Sequence, residues 1–157
     1  PNNIAPTGPT GPSASPTDLV SAYSTPSQPA ASGAPMLFDQ NALSYGSAVS
    51  HTAGSGDFTI NQPGLYQVDY HGVVSAAPTE TFPVTIVTSL EQDGNILPGA
   101  SVPHLFQSSS ESSPQSFTVL LPVTTAPTTL QVVGEGGSYL ANSMALNVTR
   151  LGDVPAP

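Results

Sequence analysis

Prolines recur along this chain at intervals too short for long helices. There are 18 in 157 residues, and seven fall between positions 78 and 127. Each removes a backbone N–H and clashes with the preceding helical turn. Lys is absent and Arg occurs once, at Arg150, so strong helix formers are scarce as well. Charged residues make up 7% of the chain, against roughly 25% in ordinary soluble domains. The 21 Ser and 16 Thr must then supply much of the solvent face as neutral hydroxyls. What remains is an all-β domain of short strands between many turns.

The charge balance closes off several function classes. One cation against ten Asp and Glu leaves a net charge of -9. Phosphate binding is driven by counterion release onto Lys and Arg, so nucleic acids and anionic membranes are not expected partners. With no Cys, the chain has no disulfide scaffold, no thiolate-bound metal and no thiol nucleophile. No apolar run approaches the ~20 residues of a membrane span. The chain begins at Pro1 without a Met, which suggests a processed or trimmed piece.

Residues 1–35 differ from the rest. They hold eight of the 18 prolines and one acid, Asp18. Within them, Ala5-Pro6-Thr7-Gly8-Pro9-Thr10-Gly11-Pro12-Ser13 places Gly at a period of three, each followed by Pro. That is the collagen pattern, in which only Gly fits the axis of three wound chains. A flexible Pro/Ser/Thr linker is the competing reading. We expect a disordered collagen-like stub over 1–17, an irregular leader over 18–35, a folded head over 36–153 and a tail over 154–157.

From Met36 the pattern changes to apolar-alternating runs between turn residues. It predicts strands over 36–39, 47–50, 57–61, 64–75, 83–92, 104–108, 116–122, 129–134 and 144–151. Val84, Ile86, Thr88 and Leu90 share one face at period two, as do Phe117, Val119 and Leu121. Asp93-Gly94 marks a tight turn. The prolines from Pro78 to Pro127 are expected in the gaps, where a missing N–H costs no ladder bond. Eight or nine short strands in this length suggest a two-sheet sandwich or jelly roll.

The stretch from Phe58 to Tyr70 carries a resemblance. An aromatic, five residues, then Gly-x-Tyr-x-aromatic-x-aromatic resembles the signature of the complement-1q globular head and its TNF-like relatives. Phe58, Gly64, Tyr66 and Tyr70 match it, and Val68 stands where the family usually carries Phe. Leu37-Phe38-Asp39 and Tyr45 look like the family's opening strand and the segment after it, and residues 145–151 are similar to its closing strand in bacterial members. With the Gly-Pro-Thr stub, the chain resembles the C-terminal heads of bacterial collagen-like spore-surface (exosporium) glycoproteins of the BclA type. The resemblance implies a jelly-roll β-sandwich that assembles as a compact homotrimer about an apolar axis. Since three chains of net charge -9 repel one another, the acidic residues are expected in outer loops. The motif residues themselves read as core: Tyr66, Val68 and Tyr70 share one strand face, and Leu65 points the other way.

The search for chemistry yields fragments. Gly54-Ser55-Gly56 lacks the Gly-x-Ser-x-Gly spacing of a nucleophile elbow. Asp69 and His71 share a strand face and could form a carboxylate–imidazole pair, although a plain surface pair is the commoner outcome. His51 and His104 stand apart from it, so a zinc site within one chain is not expected. Glu91, Asp93 and Asn95 form the densest oxygen cluster, yet lack the ladder of a calcium loop. A metal on the threefold axis stays open. Gly134-Glu135-Gly136-Gly137 carries no Lys and opens no helix, so it reads as a loop between the last two strands. Residues 108–114 read as a solvated loop. Asn147-Val148-Thr149 is formally a glycosylation triplet but lies in a predicted strand.

These readings favour a structural and interaction module without a cofactor: the trimerising head of a surface filament, extracellular, with adhesion to a glycan or host protein as a further role. The alternative is a receptor- or glycan-binding head of a phage fibre or adhesin. An enzyme using Asp69 and His71 is the third reading.

Overall fold

The structure, a computed structural model, describes Gly8 and residues 17–156. Apart from Gly8 and Thr17, the collagen-like stub expected over 1–17 lies outside the described residues, as does Pro157. The described chain is eleven strands: β1 Leu19–Ser24, β2 Gln28–Ala30, β3 Gln40–Tyr45, β4 Val49–His51, β5 Phe58–Ile60, β6 Gly64–Ala76, β7 Val84–Gln92, β8 Asn95–Phe106, β9 Ser113–Val123, β10 Thr128–Glu135 and β11 Tyr139–Gly152.

They form two antiparallel sheets. The first runs β3-β1-β11-β6-β9, with β2 also on β11, and the second runs β4-β5-β10-β7-β8. The core lies between them. In β6, Tyr66, Val68, Tyr70 and Val74 point inward while Leu65, Gln67, Asp69 and His71 point outward. From the other strands, Leu146 and Val148 of β11, Ile86 and Leu90 of β7, and Leu130 and Val132 of β10 complete the apolar layer. Burying this layer removes the apolar surface that drives folding. Among the buried polar groups, Thr88 Oγ1 donates to Gln115 Oε1 between the sheets.

The strand pattern departs from expectation in four places. Residues 18–35 are not an irregular leader. β1 pairs with β11 from Leu19↔Thr149 to Ser24↔Met144, and β2 pairs with its start. Only Val20 and Ala22 supply apolar groups to the inward face of β1, so its hydropathy signal is faint. Residues 36–39 form no regular strand. Met36 and Phe38 are buried on isolated backbone bonds, Met36 N to Val132 O at 2.8 Å and Phe38 N to Ser55 O at 3.2 Å. The strand that follows, β3, is exposed at every position and carries no periodic apolar signal. The expected strand at 104–108 is the end of a longer one, β8, which contains Pro98 and Pro103. Pro114 and Pro122 lie within β9. Both strands are sheet edges, where a proline faces solvent without breaking a ladder. Finally, the acids are not confined to loops: Asp69, Glu91 and Glu135 lie in β6, β7 and β10.

Two turn features set the geometry. Asp93 and Gly94, at φ 50° and 84°, form the two-residue link of the β7–β8 hairpin. Gly134, next to last in β10, lies under the Tyr139 ring, where a Cβ would be 2.7 Å from Cε1, so a side chain has no room. The glycine loop proper begins at Gly136.

Candidate interaction face

The outward face of the first sheet is a grid fixed by strand register. One row runs from Tyr45 through Leu19, Thr149 and Gln67 to Leu120. The next runs from Leu43 through Ser21, Asn147 and Asp69 to Thr118. A third runs from Tyr23 through Ala145 and His71 to Ser116. Large exposed apolar groups stand at both ends of this grid. Tyr23, Leu43 and Tyr45 crowd the β1–β3 end, and Leu120, 58% exposed, stands on β9.

Between them lies a polar lane in which two sets of side chains are hydrogen-bonded to one another. Ser21 Oγ donates to Asn147 Oδ1 at 2.5 Å. Thr118 Oγ1 donates to Asp69 Oδ1 at 2.7 Å, and Gln67 Nε2 to Asp69 Oδ2 at 3.1 Å. Polar groups already paired with one another lose less when covered than groups that depend on water. The second sheet differs. Glu91 and Glu135 stand near each other on it, and burial, then Glu135, raises the Glu91 carboxyl above its ordinary range.

The motif residues sit inside the sandwich. Phe58, Tyr66 and Val68 are fully buried and Tyr70 nearly so. Phe58 meets Phe38 edge-on at 5.4 Å and stacks on His51 at 4.1 Å. Tyr66 Oη donates to the Gln62 carbonyl at 2.6 Å, and burial raises its phenol above the usual value. Tyr70 stacks on Phe117 at 5.1 Å and donates to Met36 Sδ at 3.3 Å. A Cβ on Gly64 would lie 2.8 Å from the Gly152 backbone carbonyl, so a side chain there would force the backbone to shift.

The fragments of chemistry do not converge. Asp69 is engaged with Thr118 and Gln67, and no hydrogen bond joins it to His71. The three histidines occupy β4, β6 and β8. His51 Nδ1 lies 2.6 Å from Asn41 Oδ1 and Nε2 lies 2.9 Å from the Ser55 carbonyl. Burial lowers the His51 imidazole below its ordinary value, against the Ser55 carbonyl and Asp57, which favour its charged form. His104 Nε2 lies 3.4 Å from Glu111 Oε2. Asp93 is spent on Thr128 and Thr129 rather than turned toward a cation. Among the described residues no three His, Asp or Glu gather as a metal site. Asn147, the formal glycosylation site, accepts from Ser21 within the sheet face.

Solved structures share this architecture. The globular domain of zebrafish complement 1qA matches with a TM-score of 0.61 at 15% identity, over 87% of this chain and 99% of that one. The fold is the complement-1q/TNF jelly roll. Eiger TNF from S. frugiperda matches this jelly roll with a TM-score of 0.63 at 16% identity, over 91% of this chain and 98% of that one. Murine APRIL matches at 0.62 and 13% identity, over 87% and 100%. No family model matches the chain, and no curated protein does.

Sequence reasoning reached the inside of this jelly roll but missed the lane outside it. Ser21, Thr118 and Asn147 give no signal alone. Alternation marks them as outward, but only the register of four strands makes them neighbours.

Proposed function

We propose that this jelly roll is the trimerising head of a collagen-like surface filament, and that it assembles through the outward face of the first sheet. One observation carries the reading: exposed apolar groups stand at opposite ends of that face, with a polar lane between in which Ser21 pairs with Asn147 and Asp69 with Thr118 and Gln67. Two distinct patches on one face suit a heterologous contact, the β9 end of one copy on the β1–β3 end of the next. Such contacts close into a ring when the rotation permits. The Gly-Pro-Thr triplets favour a ring of three, because a collagen helix has three chains. A trimeric head raises the effective concentration of the three stalks and sets their register. The engagement of Asp69 with Thr118 and Gln67 supports a binding role over hydrolysis. An extracellular position, on a spore or cell surface, follows from the filament reading.

Sedimentation equilibrium of the full chain at low concentration tests this. The expected mass is three times 15.9 kDa, falling to one copy in Leu120→Asp. A wild-type monomer or a two-fold dimer overturns it.

A second reading, a glycan-binding head, rests on a recess of about 250 Å³ lined by Ser50, His51, Thr52, Ser55, Asp57 and Thr59. Its hydroxyls, carboxylate and imidazole suit sugar hydroxyls. A glycan array decides it: binding lost in Asp57→Ala supports the recess, and no binding removes it.

A further inference from the structure

Beyond that reading, the unguarded edge of β3 carries an inference of its own. Most sheet edges here are blunted. The second-sheet edge β8 holds Pro98 and Pro103, the first-sheet edge β9 holds Pro114 and Pro122, and β2 holds Pro29. β4 is only three residues long, and its His51 carbonyl already accepts Asn41 Nδ2 at 2.9 Å. A proline or a charge on an edge strand prevents its free N–H and C=O groups from templating another strand.

β3 has none of these guards. Its six residues, Gln-Asn-Ala-Leu-Ser-Tyr, include no proline and no charge, in a chain of net charge -9. All six are exposed. The strand pairs with β1 on one side, and among the described residues no backbone bond reaches its other side.

We propose that β3 pairs antiparallel with β3 of a second copy, joining the two first sheets edge to edge. A neutral edge meets itself without direct charge opposition, in a chain whose net charge of -9 otherwise opposes self-association. A two-fold axis at Ser44 sets Leu43 of each copy opposite Tyr45 of the other. Both side chains then stand on the outward face, beside Leu19, which lies across from Tyr45 on β1. Leu43 is 56% and Tyr45 43% exposed, so the pairing covers apolar surface now in water. Aliphatic–aromatic pairs across antiparallel strands are stabilising. The backbone pairing does not require the proposed trimer, although it draws on Leu43 and Tyr45 of the same patch, so its test rests on Ser44, which lies outside that patch.

The test uses the full chain, which has no cysteine. A residue on the two-fold axis lies opposite itself at roughly 4.5–5.5 Å between Cα atoms, within reach of a disulfide. Ser44→Cys is expected to give a covalent two-copy link on mild oxidation, and Gln40→Cys is not. Sedimentation velocity over rising concentration is expected to show the mass of the basic unit doubling. Ser44→Asp, at an exposed position outside the patch assigned to the trimer, sets two carboxylates opposite each other on the axis and is expected to abolish the doubling while the mass of the basic unit, the circular dichroism and the melting temperature stay unchanged. Leu120→Asp is expected to reduce the basic unit yet still allow it to double, which separates this proposal from the trimer. A mass that never doubles overturns the proposal, as does equal cross-linking at positions 40 and 44. A doubling that Ser44→Asp leaves intact overturns it as well.

Discussion

Asp93 Oδ2 accepts a hydrogen bond from Thr128 Oγ1 at 2.5 Å, and its Oδ1 accepts the Thr129 N–H at 2.9 Å. The turn of the β7–β8 hairpin is thereby tied to the start of β10, the next strand in the sheet. The Thr128 hydroxyl and then the Thr129 N–H hold the Asp93 carboxyl below its ordinary value of 3.8. A carboxyl depressed on folding adds stability above its unfolded pKa and loses it as pH falls through the folded value. Asp93→Asn keeps one of the two acceptor oxygens and tolerates the left-handed backbone at this position. Wild type is therefore expected to exceed the variant by a constant margin at neutral pH. The margin is expected to shrink below pH ~4 and to vanish in stronger acid. Urea unfolding at stepped pH measures it, and a margin that persists in strong acid contradicts the assignment.

Tyr66 separates a hydrogen bond from packing. Its hydroxyl donates to the Gln62 carbonyl at 2.6 Å while its ring is fully buried. Tyr66→Phe removes only the bond and is expected to cost about 1 kcal/mol. Tyr66→Ala also opens a cavity and is expected to cost about 3–5 kcal/mol, the range for a lost aromatic ring. Chemical denaturation checks both. Equal costs for the two variants are the contrary result.

The contrast between β6 and β3 shows what was legible beforehand. Tyr66, Val68 and Tyr70 alternate with polar neighbours, and large side chains at period two mark a half-buried strand. β1 buries only Val20, Ala22 and Ser24, and β3 buries nothing, so neither strand writes its pairing into hydropathy. β8 was hidden for another reason: Pro98 and Pro103 read as breaks, and only its place at a sheet edge makes them compatible with a strand. The candidate face was illegible because its residues are contiguous across strands, not along them. Ser21 and Asn147 are 126 positions apart.

Gly134 and Tyr139 form a tight packing pair at the β10–β11 turn. A Cβ on Gly134 would lie 2.7–2.9 Å from the Tyr139 ring, which is fully buried and whose hydroxyl donates to the Ala34 carbonyl at 2.5 Å. Gly134→Ala is expected to destabilise by about 1–3 kcal/mol through overpacking. In a Tyr139→Leu background the added methyl meets no ring, so its cost there is expected to be smaller. The double-mutant cycle reads the difference as a coupling energy. Additive costs are the contrary result.

Arg150 is the one residue in the chain after which trypsin can cut. Its N–H donates to the Asp18 carbonyl at 2.9 Å, and it pairs with Tyr66 in the ladder to β6. Its guanidinium reaches the Pro63 carbonyl at 3.0 Å and Asp153 at 2.9 Å. β11 lies between β1 and β6, so presenting this bond to a protease requires lifting a central strand. When opening is fast relative to cleavage, the rate of cutting follows the population of the open form. The native protein is therefore expected to resist trypsin and, once cut, to yield a single break after Arg150. Tyr66→Phe is expected to speed that cut by the factor by which it raises the unfolding constant, about fivefold for about 1 kcal/mol. Mass spectrometry of a timed digest checks both points. If cutting instead proceeds at one rate whatever the stability, the end of β11 frays on its own, and the hold on Arg150 by Asp18 and Pro63 is weaker than its geometry implies.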